Sequence, residues 1–545
     1  MTQPVRITLA QLNLTVGDIQ GNLDKILDQL TQLRGKTDLI LLPELSLVGY
    51  PPEDLLYRGS LPARVDAALD TLRQAAGDIC VVVGHPRWQN GLCYNSASAF
   101  YQGQCLLTYD KQALPNYGVF DERRYFIPGQ QPGVFEFKGR RVGVSICEDI
   151  WQPESAADLK AAGAQIILNL NASPFHLGKQ NERTDCLIAR AKETGLPIFY
   201  CNMVGGQDEL VFDGGSQVVN GNGECLLHGP VFEQASLQTT WHPHSIEIHC
   251  DSYDELSEEA MAWKALVLAV RDYVGKNGFP GVLIGLSGGI DSALTLCIAV
   301  DALGADRVEA VMMPFKYTSE MSRTDAAEQA NWLGVKYSSV SIEPIYEQFM
   351  NGLSSAFAGL DADTTEENLQ ARIRGTLLMS LSNKTGKMVL ATSNKSEVAV
   401  GYSTLYGDMV GGFTAIKDIP KTMVYRLSEY RNSINAEMGG EVGKAIPQRV
   451  ITRPPSAELA PGQVDQDSLP DYEILDQLID LYVDQDMGVE DIIAKGYDAA
   501  VVQRIARLVD RNEYKRRQAA PGAKITSRAF GRERRYPITS GYSRS

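Results

Sequence analysis

The chain has 545 residues, 44% apolar and 22% charged, which fits two or more packed domains and excludes a single small module or a disordered or fibrous chain. Its 51 Lys and Arg against 67 Asp and Glu give a net charge of −16, so an overall attraction to nucleic acid or anionic membrane is excluded and any polyanion site must be local. The start, MTQPVRITLAQLNLTVGDIQ, lacks a basic head followed by an apolar run, and no later stretch is apolar enough to cross a bilayer, so a cytoplasmic protein is expected.

In chain order, the first half alternates strand patterns (VRITLAQL, DLILLPE, DICVVVG, RVGVSIC, AQIILNLN, PIFYCNM) with amphipathic helical stretches such as NLDKILDQLTQLR and NERTDCLIARAKETG. That rhythm predicts a layered α/β domain. Eight of nine cysteines (Cys80, Cys93, Cys105, Cys147, Cys186, Cys201, Cys225 and Cys250) precede residue 251, and Cys297 alone follows. With no CxxC pair they read as reduced thiols, one of them a candidate nucleophile. His242, His244 and His249 in WHPHSIEIHC suggest a metal site, but Pro243 interrupts the strand and the expectation is that they hold none. The acidic DSYDELSEEA places a connection at 247–262 between domains at 3–246 and 263–545. Beyond it, Trp263, Leu266, Val267, Val270, Tyr273 and Val274 recur at helical spacing.

The second half opens with the strand VLIGL, the turn SGGIDS and the apolar helix ALTLCIAVDAL; RVEAVMMPF, a helix from Ser319 to Leu333 and KYSSVSI follow. This is the rhythm of a doubly wound parallel sheet. In the turn, Gly288 and Gly289 let backbone amides approach a phosphate, the helix N-terminus adds positive potential, and Ser287 and Ser292 add hydroxyls. The Gly- and Pro-rich stretch from Met438 to Gln463 reads as a mobile loop.

The turn Ser287, Gly288, Gly289, Ile290, Asp291, Ser292 resembles the pyrophosphate loop of the N-type ATP pyrophosphatases, which have a Rossmann-like sheet and cleave ATP between its α and β phosphates. ATSNKSEVAVGYSTLYGD, KDIPKTMVYRL and RPPSAEL, in that order, resemble the NAD synthetase signature. The resemblance implies ATP contacts at Thr392, Lys421 and Ser456, Mg²⁺ carboxylates at Asp291 and Glu397, and deamido-NAD contacts at Asn368, Glu397 and Lys515. Arg372 and Arg374 are either further contacts or a solvated helix face.

In the first half, LILLPELSL ends at Glu44, YDKQALPNYGVFDERRYF centres on Lys111, and RVGVSICEDIW reaches Cys147. These resemble the Glu, Lys, Cys triad of the nitrilase superfamily and imply its α-β-β-α sandwich. Such residues suit amide hydrolysis: a thiolate attacks, a carboxylate takes its proton and later activates water, and an ammonium stabilises the oxyanion. The resemblance adds Glu122 as a supporting acid and Tyr117, Ser173 and Lys179 as glutamine contacts. Together the halves resemble the fused, glutamine-using NAD synthetases, implying small-molecule substrates, no nucleic acid or membrane partner, an internal path for ammonia, and a homo-oligomer at least dimeric through the second domain. Two other readings are an amidotransferase acting on a different carboxylate and an RNA-binding modification factor using the basic tail from Arg511 to Ser545.

Overall fold

The computed structural model describes residues 3–437 and 439–541, so Met438 and the end of the basic tail lie outside the described residues. The chain divides into two compact units, Met1–Leu256 and Ser257–Ser545.

The first unit holds two sheets. The seven-stranded sheet runs Ile246–Ile248, Ala235–Trp241, Val5–Gln11, Leu39–Leu41, Cys80–Gln89, Leu92–Tyr101, Gln104–Asp110. The six-stranded sheet runs Cys225–His228, Gln217–Val219, Ile198–Asn202, Ile166–Asn171, Arg140–Ile146, Gly133–Phe137. Alternation along a strand assigns each residue to a layer. Leu39 and Leu41 join Val142, Val144, Leu168 and Phe199 in the core between the sheets, while Ile40 and Leu42 face helices α1 (Ile19–Leu33) and α2 (Leu61–Ala76). Ile167 and Ile198 of the second sheet pack on α3 (Pro153–Ala161) and α4 (Lys179–Thr194). The four layers are the α-β-β-α sandwich expected of a nitrilase-like domain.

The connection is shorter than the expected 247–262. The strand Ile246–Ile248 pairs with Ala235–Trp241, and helix α5 (Glu258–Lys276) begins within the acidic run, where the Ser257 hydroxyl accepts from Ala260 N at 3.2 Å. Glu258 and Glu259, which suggested a linker by charge, sit in the first turn of that helix, where negative charge is favourable.

The second unit is built on a wholly parallel sheet ordered Lys336–Ser339, Val308–Met312, Val282–Gly285, Met388–Ala391, Phe413–Thr414. The first strand in sequence, Val282–Gly285, is central, and the chain moves outward on one side before crossing to the other. The carboxyl ends of Val282–Gly285 and Met388–Ala391 therefore flank a topological switch point, where such sheets bind ligands. Helices α6 (Ile290–Leu303), α7 (Glu320–Trp332), α8 (Glu343–Leu353), α9 (Thr364–Thr385), α10 (Lys395–Val400) and α11 (Lys421–Ser433) follow. The segment read as a mobile loop contains helix α12 (Gln448–Thr452) and is anchored by polar contacts. Asn432 Oδ1 accepts from Ala445 N and Ile446 N at 3.1 and 2.9 Å, and Arg449 pairs with Asp325. Composition alone hid these anchors because their partners lie elsewhere in the sequence.

Candidate active sites

Glu44, Lys111 and Cys147 each follow a strand: Leu39–Leu41 and Gln104–Asp110 of one sheet, Arg140–Ile146 of the other. The turn carrying Glu44 comes so close to Gly84 that a Cβ there would lie 2.4 Å from Leu45 N. Only glycine leaves that space. The Lys111 ammonium is fully buried and donates to Glu44 Oε1 at 2.7 Å and Glu122 Oε1 at 2.8 Å. Glu44 Oε1 also accepts from Asn95 Nδ2 at 2.7 Å and its Oε2 from Ala172 N at 3.1 Å. Tyr50 donates to Glu122 Oε1 at 2.8 Å.

Cys147 opens a short 3-10 turn at a φ of 45°, a left-handed conformation that is costly for a residue with a Cβ. Asp149 holds it there. Its Oδ2 accepts from Ile146 N at 2.9 Å and from the Tyr109 hydroxyl at 2.8 Å, while Oδ1 accepts from Gln112 N at 3.1 Å and Ala113 N at 2.8 Å. One buried carboxylate thus fixes the Cys147 turn to the chain just after Lys111. Burial, reinforced by the Glu44 charge, pushes the Cys147 thiol well above its ordinary value. Burial also disfavours the Lys111 charge, but Glu122 and Glu44 outweigh it and keep the ammonium protonated; burial pushes Glu122 up to about 7. A thiol this reluctant to ionise needs a neighbouring base as it attacks, and a carboxylate held beside an ammonium supplies one.

Around this centre, Tyr117 donates to Glu148 Oε2 at 2.9 Å, and Lys179 lies 4.4 Å from the Trp151 ring and 2.8 Å from Glu182. Ser173 is gripped by the buried Arg183, which donates to its hydroxyl at 3.1 Å and its carbonyl at 2.8 Å while pairing with Asp213. Sequence reasoning missed Asp149, Glu148 and Arg183. The first two lie within the CEDIW stretch quoted for the nucleophile, but a helical arginine carries no local signal of burial.

In the second unit, Gly288 has a φ of 80°, and a Cβ on it would lie 2.4 Å from Ser322 O. The Ser292 hydroxyl accepts from Ser287 N at 3.2 Å, and the Ser287 hydroxyl accepts from Gly289 N at 3.1 Å. Ile290 is buried at the start of α6, and Asp291 follows it. Asp291 and Glu397 converge on one ammonium: Lys421 donates to Asp291 Oδ2 and, at 3.0 Å, to Glu397 Oε1. Burial pushes Glu397 up to about 8, with Lys421 opposing and Asp291 and Asp465 adding to the rise. Thr392 follows the strand Met388–Ala391 directly. Ser456 bonds within its own segment, to Gln463 O and Glu458 N. It is Arg453 that ties this segment to the Ser287–Ser292 turn, through Gly288 O, and to α7, through the Ser322 hydroxyl at 3.1 Å.

A second group gathers around residues 401–408. Thr404 donates to Asn368 Oδ1 at 2.8 Å, Arg372 to Leu405 O at 3.2 Å, and Lys515 to Gly401 O and Ser403 O at 2.8 Å each. Arg374 instead donates to Met313 O at 3.0 Å. Asp408, not singled out from sequence, accepts from Thr404 N at 2.7 Å, and burial pushes it up to about 6.

Family models for carbon-nitrogen hydrolase and NAD synthase match residues 6–240 and 262–519. A glutamine-dependent NAD(+) synthetase of Acinetobacter baylyi is 49% identical over 540 residues, 98% of each chain, and one of Thermotoga maritima is 43% identical over 99% of each. The chain belongs to the glutamine-dependent NAD synthetase family. A solved structure of that family, from Acinetobacter baumannii in complex with adenosine diphosphate, is 48% identical over 99% of both chains with a TM-score of 0.80. One from Cytophaga hutchinsonii, 21% identical over 99% of both chains with a TM-score of 0.86, supports the fold.

Asp291 and Glu397 are hard oxygen donors of the kind Mg²⁺ takes. Among the described residues no group of three or more His, Cys, Asp or Glu could hold a metal ion, but Mg²⁺ is commonly held by one or two carboxylates with phosphate oxygens completing the set. Two half-buried carboxylates beside Asp465, opposed by a single ammonium, are the charge excess such an ion offsets. In the tail, Arg516, Arg517 and Arg534 pair with Glu513, Lys524 with Glu533, and Arg528 with Asp486. Arg516, Lys524 and Arg534 are thereby buried with their partners. His242 faces Glu247 at 3.5 Å and His249 bonds Thr240 at 2.7 Å, while His244 is exposed.

Proposed function

We propose that this chain makes NAD from deamido-NAD, ATP and glutamine, with hydrolysis in the first unit and adenylation and amidation in the second. The observation that carries the reading is 49% identity to a glutamine-dependent NAD(+) synthetase over 98% of each chain, together with both charge clusters, Lys111 between Glu44 and Glu122 and Lys421 between Asp291 and Glu397.

In the first site, Glu44 takes the Cys147 proton as the sulfur attacks the glutamine carboxamide. The Lys111 ammonium stabilises the oxyanion, ammonia leaves with that proton, and water activated by Glu44 frees glutamate from the thioester. Tyr117, Ser173 and Lys179, with Glu148, orient the substrate. Glu148 offers a carboxylate to its ammonium group.

In the second site, the amides and hydroxyls of Ser287–Ser292 cradle the phosphates, with Lys421, Thr392 and Ser456 as further ATP contacts and Asn368, Glu397 and Lys515 directed to deamido-NAD. Bound to Asp291 and Glu397, Mg²⁺ would neutralise charge where the α,β bond breaks. The nicotinate carboxylate attacks the α phosphate and pyrophosphate leaves; ammonia then displaces AMP from the acyl adenylate. Adenylation is required because a free carboxylate at neutral pH is a poor acyl donor. A homo-oligomer, at least dimeric through the second unit, and a cytoplasmic setting go with this reading.

The test is Cys147→Ala with NAD, AMP and glutamate measured together. Glutamine-supported NAD synthesis should vanish while ammonium-supported synthesis persists; equal loss with both would refute the two-site reading. Internal passage of ammonia is tested with amide-¹⁵N glutamine in excess unlabelled ammonium: NAD at the bulk isotope ratio from the first turnovers would exclude it.

A further inference from the structure

The Lys421 ammonium uses the same carboxylates that the reading above assigns to the metal. It donates to Asp291 Oδ2 and to Glu397 Oε1, the latter at 3.0 Å. Mg²⁺ sits at about 2.1 Å from its oxygens, so an ion and an ammonium drawn to these same two atoms repel each other at close range. The two approach from different sides. The Lys421 side chain is 1% exposed, whereas Asp291 and Glu397 are each 18% exposed. The ammonium thus reaches the pair from within the protein, and the carboxylates keep an outward face.

The Asp291 carboxylate and the Glu397 backbone are held by a second residue besides the lysine. Asn394, the N-cap of α10, donates from Nδ2 to Asp291 Oδ1 at 2.8 Å, and its Oδ1 accepts from Glu397 N at 3.0 Å. One side-chain amide therefore fixes the carboxylate of one residue and the backbone of the other, leaving Asp291 Oδ2 and Glu397 Oε1 to whichever cation is present. Asp465 adds negative charge nearby, its Oδ2 accepting from the Tyr472 hydroxyl at 2.8 Å, and Lys421 lies 5.3 Å from the Tyr472 ring. The arm itself is adaptable. Lysine carries a point charge on four methylenes, and this one springs from the first residue of α11, with its backbone N–H held by Ser396 at 2.8 Å.

From this geometry we propose that Lys421 is a resident countercation that trades places with the incoming metal. The ammonium pairs with Asp291 and Glu397 in the resting protein and offsets part of their charge. When the metal arrives with ATP, the ammonium yields these oxygens and swings to the phosphates in the adjoining Ser287–Ser292 loop. The proposal rests on Asp291 and Glu397 being the metal's carboxylates. It has two consequences: the divalent ion alone binds poorly because it must evict a paired ammonium, and metal and nucleotide bind with positive coupling because the phosphates give the displaced charge a new partner.

Mn²⁺ binding to the full chain, followed by electron paramagnetic resonance of the free ion and by calorimetry, tests this without turnover. Lys421→Met should bind Mn²⁺ in the absence of nucleotide at least tenfold more tightly than wild type. The same variant should bind α,β-methylene-ATP with Mn²⁺ at least tenfold more weakly. Lys421→Arg, which keeps the charge, should leave nucleotide-free Mn²⁺ binding as weak as in wild type. Lys421→Gln serves if the methionine variant fails to fold. Adding Asp291→Asn to Lys421→Met should abolish the gain. Mn²⁺ affinity that depends on Asp291 but is unchanged or weakened in both neutral variants would overturn the exchange while leaving the metal reading intact. Mn²⁺ affinity indifferent to Asp291, with and without the nucleotide analogue, would instead overturn the metal reading and the exchange with it.

Discussion

Replacing Glu44 with Gln separates charge from shape at the first site. Every bond to this carboxylate comes from a donor: Lys111 and Asn95 on Oε1, both at 2.7 Å, and Ala172 N on Oε2 at 3.1 Å. A glutamine must turn its NH₂ toward Ala172 N or toward the two side-chain donors, so at least one buried donor loses its acceptor, at a cost of about 1–3 kcal/mol. Lys111 keeps Glu122 at 2.8 Å, so it is not left as an unpaired buried charge. For a unit of this size the melting transition should fall by about 2–12 °C. Loss of a positioned base should lower the glutamine-dependent rate by about 10²–10⁴-fold, equivalent to about 3–5 kcal/mol in the barrier. The assay is glutamate release and NAD formation with glutamine and with ammonium, alongside calorimetry. A glutamine-dependent rate within tenfold of wild type in a folded variant, or an equal fall in ammonium-dependent synthesis, would refute the argument.

Three further outcomes are expected. Asp291→Ala should abolish synthesis with either nitrogen source; AMP release at a near-normal rate would show that the phosphate loop has been misread. Lys515→Ala loosens the 401–405 turn and should raise the deamido-NAD requirement more than it lowers the saturated rate; an unchanged KM would remove Lys515 from the site. His85 is buried neutral, with Nδ1–H donating to Pro86 O at 3.0 Å and Nε2 accepting from the Ser98 hydroxyl at 2.8 Å, and burial lowers it to about 4. An unfolded histidine titrates near 6.5, so the unfolded chain binds more protons between these values. Stability should therefore fall with pH through that window, by about 3 kcal/mol when the lower end is passed. Urea unfolding at pH 7 and pH 5 should show a smaller difference in His85→Gln than in wild type, and equal differences would count against the assignment.

The elements along the chain were legible in sequence because their signals are local. Apolar runs marked strands such as Leu39–Leu41 and Ile166–Asn171, period-3.6 spacing marked α1 and α5, and the glycines of SGGIDS marked a turn that a Cβ would block. The candidate triad and the candidate phosphate loop were legible for the same reason: each lies at a strand end, flanked by recognisable chain. Tertiary structure decided the electrostatics, because a carboxylate's behaviour depends on burial and on partners remote in sequence. Lys111 became a buried bridge between Glu44 and Glu122, Asp149 the brace joining two loops, and Lys421 the cation shared by carboxylates from α6 and α10. The basic tail makes the same point. Its composition suggested an outward-facing patch, but the fold turned Arg516, Lys524 and Arg534 inward to Glu513 and Glu533. Charge is written in the sequence, whereas the direction it faces is fixed only when the chain closes around it.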